Sequence, residues 1–255
     1  MISALSNKKL YGLVGHPLSH SFSIDYFNQK FIAEGIDAAY INFDIEDVNK
    51  LMEIISEYPN LDGLNVTSPY KETVIPLLDS LDEEARETGA VNVIRFIRDS
   101  RGNLRDLRGY NTDVRGFRDT MPPLLNDVRT SAMVLGTGGG GKAVAVALRQ
   151  LGVDVQFVSR HKREDTVVYE EITRSMVATH KIIINATPVG KYPLDNECPD
   201  FPYRFLTKEH LCYDLIYNPS ETLFMKNSAQ QGAETKNGLE MLLLQAFASY
   251  NIWTE

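Results

Sequence analysis

The residues with the clearest chemical potential stand in the middle of the chain. Gly136, Gly138 and Gly141 fit a G-x-G-x-x-G spacing, with Gly139 and Gly140 between them. They follow the apolar run 132–135 and precede an Ala/Val-rich run of helical length, an order that reads as strand, tight turn, helix. The first glycine makes the turn, the second lets backbone approach a pyrophosphate, and the third lets helix pack on strand. Free N–H groups and the positive end of a helix dipole then face an anion. A glycine run in an ordinary loop is the plainer alternative.

A second strand at Asp154–Val158 ends in Ser159-Arg160-His161-Lys162-Arg163. A dinucleotide fold normally presents an acid there for the ribose 2′-hydroxyl. A carboxylate would repel a 2′-phosphate, whereas guanidinium groups pair with one. The tip therefore points to NADP rather than NAD, against the alternative of a solvated basic loop that Glu164 and Asp165 keep open.

Polar clusters mark the rest of the chain. Asn65-Val66-Thr67-Ser68-Pro69-Tyr70-Lys71 places an amide, a hydroxyl and an ammonium at a strand's end, where open α/β sheets bind ligands. His16-Pro17-Leu18-Ser19-His20-Ser21-Phe22-Ser23 opens a helix; a cap explains one serine, and the surplus makes it either a substrate loop or a plain turn. Asn111, Thr112 and Asp113 suit a helix start. The stretch 181–190 reads as a buried-type strand ending in a Pro/Gly turn, with Asn185 and Thr187 at its carboxyl tip, on the cofactor side of such a sheet. Gln245 is a polar group in an apolar helix, needing a structural hydrogen bond or a ligand.

These groups require elements that position them. Strands are expected at Leu10–Gly15, Ala39–Ile45, Leu61–Thr67 and Gly89–Arg95, with helices from about Ile24 and over Val48–Ile55. Leu77, Leu78, Leu81 and Ala85 suggest another helix, and 98–108 a hairpin turn with exposed charge. A helix from about Val114 to Met121-Pro122-Pro123 carries the chain toward the glycine-rich unit, and the domain change falls along it. A strand at 211–217, a helix to about Gln231 and a closing helix 237–250, apolar almost all round and so expected to be buried, complete the chain. Alternating strand and helix indicate an α/β fold.

Composition sets the bounds. The chain has 255 residues, 43% hydrophobic and 24% charged, enough for one large or two modest globular domains. A net charge of −8 without a basic stripe argues against nucleic-acid binding. Cys198 and Cys212 offer neither a disulfide framework nor a zinc site, so no metal is expected. No leader and no apolar run of membrane-spanning length is apparent, which makes the cytoplasm the expected location.

Taken in order, these blocks resemble the shikimate dehydrogenase family: Gly15 to Ser23, Asn65 to Lys71, Gly89-Ala90-Val91-Asn92, Asn111-Thr112-Asp113, the glycine loop, Asn185-Ala186-Thr187-Pro188, and Asn237-Gly238 to Gln245. The resemblance implies reversible NADPH-dependent reduction of 3-dehydroshikimate to shikimate, on the route to aromatic amino acids. It implies a substrate domain of residues 1–113 and 237–255, a Rossmann-type NADP domain of residues 114–236, and a C-terminal helix returning to the substrate domain. Lys71 and Asp113 would be the catalytic pair. Ser21 and Ser23 would bind the substrate carboxylate, and Asn65, Thr67, Asn92 and Gln245 would hold its ring hydroxyls. Gly136, Gly138, Gly139, Gly140, Ser159, Arg160, Arg163, Thr187, Leu215, Tyr217 and Gly238 would serve NADP. A monomer or homodimer acting on a small molecule is expected.

The chain departs from the family pattern in two places. Ser23-Ile24 stands where Ser-Pro is usual, and Ser159-Arg160-His161 where Asn-Arg-Thr is usual, keeping the arginine but losing a threonine hydroxyl. Two rival readings are a quinate/shikimate dehydrogenase with broader substrate and NAD use, and a non-catalytic dinucleotide-binding sensor.

Overall fold

A computed structural model describes residues 8–18 and 22–255. The chain forms two compact units, one of Met1–Thr112 and Ala246–Glu255, the other of Asp113–Gln245.

Among the described residues, the first unit holds a six-stranded sheet. Its strands are β1 (Lys9–Gly15), β2 (Ala38–Asp44), β3 (Leu61–Val66), β4 (Ser80–Leu81), β5 (Val93–Arg98) and β6 (Leu104–Tyr110). They lie in the order β2-β1-β3-β5-β6-β4. β1 pairs parallel with β2 and β3, whereas β5 runs antiparallel to both β3 and β6. Helix α1 (Phe22–Ala33) buries Phe27 and Phe31, while α2 (Leu51–Glu57) buries Leu51 and Ile54. Phe27 stacks on Tyr40 with ring centroids 4.7 Å apart, so an aromatic layer seals that side of the sheet.

Two local readings are corrected here. Leu81 belongs to the short strand β4, and the helix after it, α3 (Glu83–Thr88), starts only at its Asp82 cap, whose carboxylate accepts the Ala85 N–H at 2.7 Å. Leu81 pairs with Gly109 in β6, a tertiary partner that overrides its helical spacing. Much of 98–108 is strand rather than turn, because the bend tightens around Asp99, whose Oδ1 accepts the N–H groups of Arg101 and Asn103, each at 2.9 Å.

The second unit carries a parallel sheet of β7 (Ser131–Leu135), β8 (Asp154–Ser159), β9 (Thr166–Val168), β10 (Ile182–Asn185), β11 (Leu211–Asp214) and β12 (Glu234–Lys236). The order β12-β11-β10-β7-β8-β9 reverses direction between β7 and β10, the crevice where doubly wound sheets bind dinucleotides. β10 and β11 are buried along their whole length, as strands covered on both faces must be. Around the sheet lie α4 (Thr112–Thr120), α5 (Gly139–Gln150), α6 (Arg174–Thr179) and α7 (Leu223–Gln230). The two-domain α/β expectation thus holds, with a Rossmann strand order in the second unit.

The closing helix α8 (Leu239–Thr254) gives its last residues, from Ala246, to the first unit. There Trp253 packs on β3 so closely that a Cβ on Gly63 would lie 2.3 Å from the indole, and its Nε1 donates to the Ile94 carbonyl at 3.2 Å. Burial all round is not what the helix shows. Leu239, Leu243 and Phe247 are 43%, 39% and 50% exposed, so apolar composition overstated how much of it is covered.

Candidate active site and dinucleotide site

The glycine loop links β7 to α5 at the sheet's reversal point. Gly136 has φ +107°, a conformation that favours glycine, and a Cβ on Gly141 would stand 2.3 Å from the Gly136 carbonyl oxygen. Between them Gly138 has open space where a Cβ would go, and Gly140 meets only Leu215, at 3.7 Å. Gly138 caps α5 without any side-chain hydrogen bond, leaving the first-turn N–H groups of Gly139 and Gly140 to an outside acceptor. A pyrophosphate fits that cradle by shape and by charge.

The basic tip sits beside it. Arg163 Nη1 donates to Thr137 Oγ1 at 3.4 Å, tying the tip to the glycine loop. Lys162 is taken up by Glu171 at 2.6 Å, and Arg160 and Arg163, the tip's two guanidinium groups, are exposed. Ser159 is buried, its Oγ accepting the His161 N–H at 3.3 Å.

At the far side of the crevice, Thr187 donates both its N–H and its hydroxyl to Asn185 Oδ1, at 3.1 and 2.6 Å. Asn185 in turn donates to Asp214 Oδ1 at 3.1 Å, and Asp214 also accepts from the Ile216 N–H at 3.0 Å and Thr222 Oγ1 at 2.6 Å. Burial raises the Asp214 carboxyl to about 6 despite these donors. Leu215 and Tyr217 extend from this strand end, and burial raises the Tyr217 phenol. Gly238 has a packing reason of its own: a Cβ there would stand 2.1 Å from the Leu215 carbonyl oxygen.

Asp113 opens α4, nearly buried, and Gln245 lies on α8 where it crosses α4: a Cβ on Gly116 would stand 2.9 Å from that of Gln245. Gln245 Nε2 donates to the Leu242 carbonyl at 3.0 Å.

In the first unit, Asn65, Thr67 and Lys71 follow one another off the carboxyl end of β3. The turn is held at both ends: the Thr67 N–H donates to the Val14 carbonyl at 2.9 Å, and the Val91 N–H to the Lys71 carbonyl at 2.7 Å. Tyr70 is buried, its hydroxyl on the Ile45 carbonyl at 2.6 Å, which leaves the neighbouring Lys71 half-buried at the edge. Asn92 Oδ1 accepts the Thr112 N–H at 2.7 Å, and Asn92 Nδ2 donates to Thr112 Oγ1 at 3.0 Å. Ser23 lies in the first turn of α1, within reach of the Tyr40 hydroxyl. Ser21 falls outside the described residues.

Sequence reasoning passed over several supporting groups. Asp44 clamps the loop before α1, accepting from His16 Nδ1 at 2.7 Å and from the Leu18 N–H at 3.0 Å; these bonds hold its carboxyl below the usual range. Tyr40, Ser249 and Asp214 were also unmarked. Only Asp214 had a signal, an acid closing an apolar strand.

The family model for the shikimate dehydrogenase substrate binding domain matches residues 13–94. A curated shikimate dehydrogenase (NADP(+)) of Desulforamulus reducens is 34% identical over 270 residues, spanning 95% of this chain and 89% of the relative. The chain belongs to the shikimate dehydrogenase family. Solved relatives agree in fold. The Thermus thermophilus shikimate 5-dehydrogenase, determined in complex with NADP(H) and shikimate, has a TM-score of 0.82 at 29% identity, covering 96% of this chain and 93% of its own. A quinate dehydrogenase of Corynebacterium glutamicum in complex with NAD has a TM-score of 0.83 at 31% identity, covering 97% and 94%. Among the described residues, no His, Cys, Asp and Glu cluster could hold a metal ion, and no helix is long and apolar enough to cross a membrane.

Proposed function

We propose that this enzyme interconverts 3-dehydroshikimate and shikimate with NADP(H), an oxidoreduction at a CH–OH group in aromatic amino-acid biosynthesis, and that Lys71 and Asp113 are its catalytic pair. The observation that carries the reading is likeness to shikimate dehydrogenases over 95% of the chain, so that it includes both compact units.

NADPH supplies the hydride, and the chain must supply the proton and hold the ring. Hydride arriving at a ring carbonyl leaves an alkoxide, so a proton donor within hydrogen-bond reach lowers the barrier. Lys71 offers both a proton and a positive charge. Ser21 and Ser23 take the carboxylate, while Asn65, Thr67, Asn92 and Gln245 hold the hydroxyls. The Arg160–Arg163 tip supports preference for the 2′-phosphate, and the open cradle at Gly138 supports pyrophosphate binding at the glycine loop. The protein is a cytoplasmic monomer or homodimer in this reading.

The test is NADPH oxidation with 3-dehydroshikimate, run beside NADH. A protein that binds NADPH yet turns over with neither cofactor refutes the reading. The NAD-bound quinate dehydrogenase among the structural relatives favours one alternative, oxidation of quinate with NAD, which the reverse assay, quinate with NAD beside shikimate with NADP, decides.

A further inference from the structure

Asn65 is 7% exposed, and its carboxamide is engaged on both sides. Its Nδ2 donates to the Asn92 carbonyl at 3.2 Å and to Ser249 Oγ at 3.1 Å, and its Oδ1 accepts from the Tyr40 hydroxyl at 2.8 Å. A backbone carbonyl can only accept, so the amide nitrogen must face Asn92 and the oxygen must face Tyr40. The phenol is then the donor. Both amide hydrogens are spent inside the protein, which leaves Asn65 one lone pair on Oδ1. Any ligand group that meets it must donate: a hydroxyl, not a carboxylate or a carbonyl.

The two hydroxyls that enforce this arrangement are themselves held. Tyr40 is 1% exposed, its ring stacked on Phe27 and tilted against Trp253 at 6.3 Å. Burial raises its phenol far above the ordinary range, so it stays protonated. Ser249 is fully buried, and its Oγ meets Thr112 Oγ1 at 3.2 Å, the hydroxyl that also orients Asn92. One buried network thus joins Tyr40, Asn65, Ser249, Thr112 and Asn92.

We propose that Tyr40 and Ser249 are positioning residues of the substrate site, whose buried hydroxyls lock the Asn65 carboxamide so that it recognises a ring hydroxyl of the substrate and rejects a carbonyl or carboxylate in its place. The proposal rests on the shikimate dehydrogenase reading and adds to it two residues that need not touch the substrate.

The experiment is steady-state shikimate oxidation by Tyr40→Phe and Ser249→Ala, each alone and combined with Asn65→Ala. A net hydrogen bond is worth about 1 kcal/mol, so each single change should raise KM for shikimate roughly five- to tenfold. KM for NADP should stay as in the parent. In the Asn65→Ala background each change should raise KM for shikimate by less than it does alone, because both act chiefly through that carboxamide, Tyr40 meeting Ser23 and Ser249 meeting Thr112 besides. A folded variant with unchanged KM for shikimate, or effects that simply add to Asn65→Ala, overturns the proposal. A merely structural role would lower the melting temperature while leaving the shikimate and NADP constants alone. Should Tyr40→Phe fail to fold, Ser249→Ala and its combination carry the same test. A parent protein that does not oxidise shikimate removes the functional reading, and this proposal with it, before any variant is made.

Discussion

Asn185 donates an amide hydrogen to Asp214 across two neighbouring strands, at 3.1 Å. The pair ties the ends of β10 and β11, and through Asn185 it holds Thr187 at the edge of the dinucleotide crevice. Asp214 accepts three hydrogen bonds, yet its carboxyl is raised to about 6, because burial costs the charge more than the donors return.

A raised carboxyl binds its proton more tightly folded than unfolded. Its contribution to stability is therefore fully present below the ordinary aspartate range and is lost as pH rises to about 6. The size corresponds to about 3 kcal/mol. Subtracting the unfolding free energy of Asp214→Asn from that of the parent should give a difference that falls between about pH 4 and pH 6 and is flat above. A difference independent of pH in denaturant titrations would remove the claim.

Lys71→Ala should lower kcat for 3-dehydroshikimate reduction by about 10² to 10⁴, the usual worth of general acid catalysis. NADPH binding, followed by fluorescence titration, should not change. Comparable losses in kcat and in NADPH affinity would point to a disrupted fold instead.

Arg160→Ala and Arg163→Ala should each raise KM for NADPH about tenfold or more, since charge-assisted bonds are worth about 1.5–3 kcal/mol. NADH, which lacks the 2′-phosphate, should be used as before. Equal losses with both cofactors would show that the tip serves something other than that phosphate.

Two alanine substitutions in one loop should separate fold from cofactor. Gly141→Ala sets a methyl 2.3 Å from a backbone oxygen that cannot yield, and overpacking of this kind typically costs about 1–3 kcal/mol. Gly138→Ala meets no protein atom within 4 Å and has an ordinary φ of −75°, so its melting temperature should match the parent while its KM for NADPH rises. A parent-like KM in Gly138→Ala would show that the cradle is not where the pyrophosphate lies.

The amino-acid sequence alone determined what depends on neighbours along the chain. The glycine turn, the basic tip and the Thr67-to-Lys71 turn are legible because glycine conformation, charge and proline geometry act over a few residues. Leu81 and the exposed stripe on α8 were misread because strand partners and solvent cover are settled by elements far away in the chain. Tertiary structure alone decided the support of the polar groups. Tyr40 reaches Asn65 across 25 residues and Ser249 reaches it across 184, and no spacing pattern encodes either bond. A buried amide must find donors and acceptors wherever folding brings them, so its partners emerge only when the sheet and the closing helix have packed.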